Sequence, residues 1–336
     1  MSQPPLTSAF AAAAPSGAGP SIGTPVLWGV SIVVLLALLA ADFLVTRKPH
    51  EVALREAVGW SVFYLALPVV FGLGLWLWFG GPQALEFLTG FVVEKSLSVD
   101  NLFVFMLLLT GFAVPAALQQ RVLLYGIVGA LVLRGIFIAA GAALLQAGTW
   151  AFLVFGAILF ATAVKILREA LKGDEPQIEV SEMRSVKLLR RWWPVTDDYR
   201  EGRLTAQEGG RRALTPLALV VVAVFATDVV FAVDSVPAVY GITEDPYLVF
   251  ATNAFALLGL RALYFVLHAA LAKLVHLNHG LAIILGFIGV KLVLHWAHGI
   301  WPQVPEVPTP LSLAVIVVVL GAVTVTSFRA QRAGEK

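Results

Sequence analysis

Two short stretches carry the side chains that could do chemistry. They are Glu94-Lys-Ser-Leu-Ser-Val-Asp100-Asn101 and Asp228-Val-Val-Phe-Ala-Val-Asp234-Ser235. Each is an acid, five residues, then an aspartate followed by a small polar residue, and each lies inside a long apolar run. A charged residue near the centre of a bilayer costs about 2.5–3.5 kcal/mol on insertion scales, so it is a functional candidate by default. Four carboxylates with Asn101 and Ser235 form a set of hard oxygen donors, which suits Mn²⁺, Mg²⁺ or Ca²⁺. Without a cation the carboxylates repel one another and one tends to hold a proton, a physical route to proton-for-metal exchange. The competing reading is structural: the acids pair permanently with Arg134, Arg261, Lys165 and Lys291. These four cations otherwise brace or gate the site. Asn253 and Thr227 either join it or make helix–helix hydrogen bonds.

Helix geometry constrains the set. At about 100° per residue Glu94, Ser98 and Asn101 share one face, as do Asp228 and Ser235. Asp100 and Asp234 fall about 120° off that face. Either they serve a different partner or the helix is distorted between the acids. Pro237 favours distortion in the second stretch, because it withdraws a donor and crowds the carbonyl of Val233. His295 and His298 share a face of their own and could offer nitrogen ligands to Zn²⁺, or be ordinary interface histidines. Asp42 and Glu86 lie outside the repeated pattern or near an interface and read as structural.

The elements that must hold these residues are membrane helices. Apolar residues make up 59% of the chain and charged residues 13%, and several runs exceed the length of a bilayer span, which defines a polytopic membrane protein. The chain has no cysteine and three methionines, so disulfides, thiolate ligands and a soft-metal carrier are excluded or disfavoured. No nucleotide loop, nucleophile elbow or zinc-protease motif occurs, so an enzyme reading has no residues to stand on. The expected partners are the lipid bilayer and a divalent metal ion, with no nucleic acid and no cofactor. The sequence leaves the oligomeric state open.

The predicted fold is all-α with about nine spans, at 25–46, 57–79, 84–110, 122–145, 149–167, 214–239, 247–271, 280–299 and 311–328. Residues 1–24, rich in Ala, Pro, Ser and Gly, read as a disordered tail. Lys and Arg fall in alternate loops, while 80–83, 146–148, 240–246 and 300–310 contain none. This asymmetry places the N-terminus outside and the C-terminus in the cytoplasm. The long connection 168–213 is predicted to be cytoplasmic. Val180, Met183, Val186, Leu189 and Trp193 recur there at helical spacing, as in an amphipathic helix at the inner interface or a short helix in a solvated linker.

Spans three to five and six to eight carry similar landmarks in the same order. Glu94, Asp100, Asn101, Arg134 and Lys165 in 84–167 parallel Asp228, Asp234, Ser235, Arg261 and Lys291 in 214–299. Three spans per unit reverse the second unit across the membrane. The pattern predicts two inverted three-helix repeats, with the two N-terminal helices (25–79) and the last helix (311–328) flanking them. Such repeats build secondary transporters whose substrate site lies between them near the midplane.

Several motifs also resemble those of the TerC/Alx family of bacterial integral membrane proteins. They include Glu94-Lys-Ser-Leu-Ser-Val-Asp-Asn101, Phe231-Ala-Val-Asp-Ser-Val-Pro-Ala238, the segment Asn253–Phe265, Gly289-Val-Lys291 and Trp193-Pro-Val-Thr-Asp-Asp198. The resemblance covers about residues 25–330. It implies a transporter of the LysE-like superfamily in the bacterial inner membrane, linked to Mn²⁺ export and, by name, to tellurium resistance. The family's acidic positions map onto Glu94, Asp100, Asp228 and Asp234. The family often has a glutamate three residues before the first aspartate of the second motif, where this chain has Phe225. The expectation is a Mn²⁺ exporter with Glu94 and Asp228 as primary ligands and Asp100, Asp234 and Asn101 as secondary ligands or proton carriers. The rivals are a membrane scaffold or assembly factor, and a carrier for Ca²⁺ or an oxyanion bound by Arg134 and Arg261.

Overall fold

The computed structural model describes residues 21–45, 54–172, 183–196, 198–199, 202–208, 211–260, 263–264, 266 and 276–334. The chain is mostly helical, as the apolar runs require: a backbone in lipid has no water to bond to and satisfies itself within the helix. In order the elements are α1 (Pro25–Val45), α2 (Leu54–Phe79), α3 (Gly81–Gly111), α4 (Ala116–Ala147), α5 (Trp150–Lys172) and α6 (Arg184–Trp192). A β-hairpin follows, β1 (Thr205–Glu208) and β2 (Arg211–Leu214), then α7 (Pro216–Tyr240), α8 (Pro246–Leu258), α9 (Leu277–Ile300) and α10 (Thr309–Gly334).

Six segments are long and apolar enough to cross a membrane: Val58–Phe79 in α2, α4, α5, α7, α9 and Thr309–Ala330 in α10. Pro25–Ala41 in α1 and the whole of α8 are shorter apolar helices. α3 has the length, at 31 residues, but carries Glu86, Glu94, Lys95 and Asp100. Its charges are the feature that needs explaining.

The packing is reciprocal. α5 makes its most extensive contact with α9, α4 packs on α7, and α3 packs on α8. The α5–α9 approach is close because it is made at glycine. A Cβ added to Gly156 would lie 3.0 Å from the Gly289 carbonyl oxygen, and one added to Gly289 would lie 3.1 Å from that of Gly156. Small residues at such a crossing let two backbones touch, the main source of helix association in lipid. One core cluster lies among α3, α4, α7 and α8, and a second among α5, α7 and α9.

Beyond its helix, the connection 168–213 holds a hairpin that the sequence reading did not draw: β1 and β2 pair antiparallel, with Glu208 opposite Arg211 and Thr205 opposite Leu214. Leu214 also exchanges backbone hydrogen bonds with Pro194 and Thr196. Part of the apolar face of α6 packs on protein, with Val186 buried in the first core and Met183 and Leu189 against it, while Trp193 at its end stays exposed. Val180 lies outside the described residues. The same end of the molecule is fastened by Tyr199, whose hydroxyl donates to the carbonyl of Phe112 at 2.7 Å. Partial burial pushes that phenol up from its ordinary range, so it stays a donor. Residues 1–20 lie outside the described ones, but Ser21 and Ile22 dock on the α8 N-cap, donating to the Asp245 carboxylate at 2.5 and 2.8 Å.

Candidate cation site

Glu94 on α3, Asp228 on α7 and Asn253 on α8 converge on Arg134, which comes from α4. All four side chains are essentially sealed from solvent, at 0%, 2%, 1% and 1% exposure in that order. Arg134 Nη1 is in direct ion-pair contact with Glu94 Oε1 and donates to Asn253 Oδ1 at 2.8 Å. Its Nη2 lies 3.7 Å from Asp228 Oδ1. Asn253 is oriented by its own amide nitrogen, which donates to the Val249 carbonyl at 2.9 Å. That bond leaves the amide oxygen facing the guanidinium.

The cluster is under-compensated. Two carboxylates share one arginine, and each arrives on a different helix. Among the described residues Glu94 Oε2, Asp228 Oδ2 and Arg134 Nε have no hydrogen-bond partner. Buried polar atoms are almost always paired, and here several lacking a protein partner gather at one point. With both acids ionised and Arg134 charged, the cluster carries one net negative charge.

Asp234 serves a different partner. It leaves α7 away from the arginine and accepts from Thr162 of α5 at 2.7 Å. Lys165, one turn further along α5, lends it a favourable charge. Asp234, Ser235 and Asn101 line a small cavity of about 30 Å³ closed by Leu97, Ile166, Phe231, Leu281 and Leu285. Thirty cubic ångströms is about the volume of one water in the liquid. Ser235 Oγ, buried at its edge, has no hydrogen-bond partner among the described residues. The predicted set is therefore divided into two neighbouring stations, Glu94–Arg134–Asp228–Asn253 and Asp234–Asn101–Ser235.

The remaining predicted residues fall as follows. Ser98 and Thr227 donate back to carbonyls four residues earlier, those of Glu94 and Ala223, so their donors are not aimed at either station. Lys291 lies in a wide vestibule with Glu86 at one end of the bundle. The side chain of Asp100 and all of Arg261 lie outside the described residues. Lys95, next to Glu94, turns away to donate to the Ala256 carbonyl at 3.2 Å. α7 is helical from Pro216 to Tyr240 with Pro237 inside it, and of the two alternatives for Asp234 the different partner is the one seen, Thr162. His295 and His298 do not converge. His298 Nδ1 donates to the Val304 carbonyl at 2.6 Å, while His295 meets two glutamates. Thr162 was missed by sequence reasoning; its signal is its position three residues before Lys165.

A helical bundle with apolar outer faces and a sealed ionic centre defines an integral, multi-pass membrane protein. The chain matches the Integral membrane protein TerC family over residues 79–335 and belongs to that family. It is 41% identical over 310 residues to the uncharacterized membrane protein STKORF319 of Myxococcus xanthus, covering 92% of this chain and 94% of the relative. A Salmonella typhi protein with the provisional name membrane-bound redox modulator Alx is 41% identical over 318 residues, 91% of this chain and 94% of its own. The Escherichia coli K12 protein of that name is 40% identical over 308 residues, 88% and 92% of the two chains. No solved structure matches the fold significantly.

Proposed function

We propose that the chain is a secondary transporter that exports a divalent metal, Mn²⁺ first, through the midplane carboxylates in exchange for protons. The observation that carries the reading is the shortage of positive charge at Arg134: two buried acids, one arginine, and unpaired oxygens facing it. In a sealed site an unbalanced carboxylate takes a proton or a cation. Arg134 acts as a tethered counter-ion that keeps the acids from expelling one another when the site is empty. Asp234, Asn101 and Ser235 offer oxygen donors round a cavity that fits one small particle. Hard donors of this kind select Mn²⁺, Mg²⁺ or Ca²⁺; the preference for Mn²⁺ comes from the family resemblance, and Ca²⁺ is the closest rival.

The wider architecture supports the same reading. The packing of α3 on α8 mirrors that of α4 on α7, and α5 faces α9 through reciprocal glycines, as two inverted three-helix repeats would produce. With α1, α3 and α8 added to the six long segments, nine spans cross the bacterial inner membrane, N-terminus outside and C-terminus in the cytoplasm. A carrier for oxyanions is disfavoured because Arg134 already faces two carboxylates and an amide oxygen. Thiol-based redox chemistry, which a relative's name suggests, has no cysteine to use. A scaffold would have no use for unpaired acceptors at the membrane centre.

Metal flux into inside-out vesicles tests the proposal. Glu94→Gln, Asp228→Asn and Asp234→Asn are expected to insert normally and lose Mn²⁺ flux by at least about tenfold, a loss of at least about 1.4 kcal/mol in the transport barrier. Flux at the wild-type rate in all three acid variants would end the carrier reading. Failure of every variant to insert would favour the scaffold.

A further inference from the structure

A groove of about 430 Å³ runs between the first turns of α9 and the last turns of α10. α9 is 24 residues long, a rise of about 36 Å against a hydrocarbon thickness of about 30 Å. Its first turn, where the groove opens, therefore reaches the headgroup layer, on the side opposite the vestibule of Glu86 and Lys291. Polarity is graded along the groove. His276, His279 and Thr326 stand at the mouth, while Ile283 of α9 and Val318 of α10, both exposed, lie further into the membrane. Below the mouth the two helices close on each other, where a Cβ on Gly280 would collide with Val323.

The mouth is built but unspent. The backbone N–H of His276 donates to Ser327 Oγ at 3.1 Å, which fastens the two walls together. The rings of His276 and His279 lie 6.0 Å apart, edge to face. The Nδ1 of each is buried without a hydrogen-bond partner among the described residues. No bond at that nitrogen fixes either ring, so a turn of the imidazole presents an N–H at the mouth. Arg329 follows Ala322 by seven residues, about 20° apart in helical phase, and so stands exposed on the same wall beyond Thr326. No acidic side chain lines the groove among the described residues. A guanidinium only donates, and it meets a phosphate in charge-assisted hydrogen bonds.

We infer that this groove binds an anionic phospholipid, one acyl chain lying along Ile283 and Val318 and the phosphate at His276, His279 and Arg329. The setting selects the occupant. A soluble anion gains nothing from aliphatic walls that face the membrane. A zwitterionic lipid brings a second cation to a mouth that already has Arg329. An apolar helix from a second copy of the chain would leave both imidazoles and Arg329 without an acceptor at the headgroup layer. Each basic residue near an anionic lipid contributes about fivefold in binding. The bound lipid joins α9, which pairs with α5 through the reciprocal glycines, to the flanking α10. Its effect on flux rests on the carrier reading; the binding itself does not.

Native mass spectrometry tests the assignment, using the full-length protein delipidated in detergent and titrated with phosphatidylglycerol or with phosphatidylcholine of the same chains. Wild type should retain one phosphatidylglycerol at least about fivefold more tightly than phosphatidylcholine. Arg329→Gln, and separately the pair His276→Gln/His279→Gln, should weaken phosphatidylglycerol and leave phosphatidylcholine unchanged. Ala322→Trp places a ring in the groove and should abolish the tightly held lipid. Matching elution profiles and melting temperatures certify folding. Arg329 and Ala322 are both exposed, so those two variants decide the matter even if the histidine pair is unstable. Equal retention of the two lipids by wild type, or a tight lipid that survives Ala322→Trp, overturns the inference. Displacement of the lipid by inorganic phosphate would reduce the site to an anion at the mouth and overturn it too. Dimers that dissociate only in Ala322→Trp would put a second copy of the chain in the groove, with the same consequence.

Discussion

Arg134 is a charged side chain sealed from solvent, 1% exposed. Its guanidinium is fully desolvated, and what makes it tolerable is the pair of acids that it in turn makes tolerable. Removing one partner of a buried ion pair leaves an uncompensated charge and costs about 3–5 kcal/mol. Arg134→Met is therefore expected to lower the melting temperature sharply, since Glu94 and Asp228 are then both unpaired. Adding Glu94→Gln to that variant removes half of the stranded charge and should recover much of the loss. A double-mutant cycle by thermal melting in detergent measures the coupling. Additive effects would mean that the two side chains are not paired in the protein. The same charge arithmetic separates structure from transport: Arg134→Lys keeps the positive charge but loses the fork whose Nη1 serves Glu94 and Asn253 while Nη2 faces Asp228, so it should stay folded and alter flux.

Between helices, the decisive contacts are made where one helix has no side chain. Gly129 on α4 receives the ring of Phe225 from α7, in direct contact with where a Cβ would stand. The residue at which this chain departs from the family pattern thus has a packing role here, filling a glycine notch three residues before Asp228. Gly129→Ala should destabilise the α4–α7 pair by about 1–3 kcal/mol through overpacking, and Phe225→Leu in the same chain should relieve it. A melting temperature unchanged in Gly129→Ala would show that the ring lies elsewhere. These contacts also mark what a sequence can and cannot disclose. The acids, Arg134 and Asn253 were legible because a charge within an apolar run announces itself and helical phase places it. The choice between distortion and a different partner for Asp234 was not, since it depended on which helix lay opposite, and Thr162 supplied the answer. The β-hairpin and the His295 bridge were hidden for a related reason: both depend on how connections fold back, which apolar periodicity does not encode.

At the scale of the whole molecule, carrying an ion across requires the two groups of three helices to move against each other round the site. Their largest shared surface is α5 against α9, and it offers a means of arresting that motion. A Cβ on Gly286 would lie 3.7 Å from the Cβ of Ala163, within the range of about 3.5–4.5 Å that a disulfide spans. The chain has no cysteine of its own, so Ala163→Cys with Gly286→Cys introduces a single possible intramolecular bridge with no background. Oxidation is expected to close it nearly quantitatively, read as a mobility shift after cleavage between α5 and α7. With the bridge closed, Mn²⁺ binding should persist while flux falls by at least about tenfold, and a reductant should restore it. Both outcomes arise from one bond: the site stays assembled because Asp234 and Thr162 remain in register, and transport stops because the helices cannot slide or rock. Full flux with the bridge closed would mean that α5 and α9 travel as one body, and that access alternates instead across the α4–α7 and α3–α8 contacts which surround Arg134.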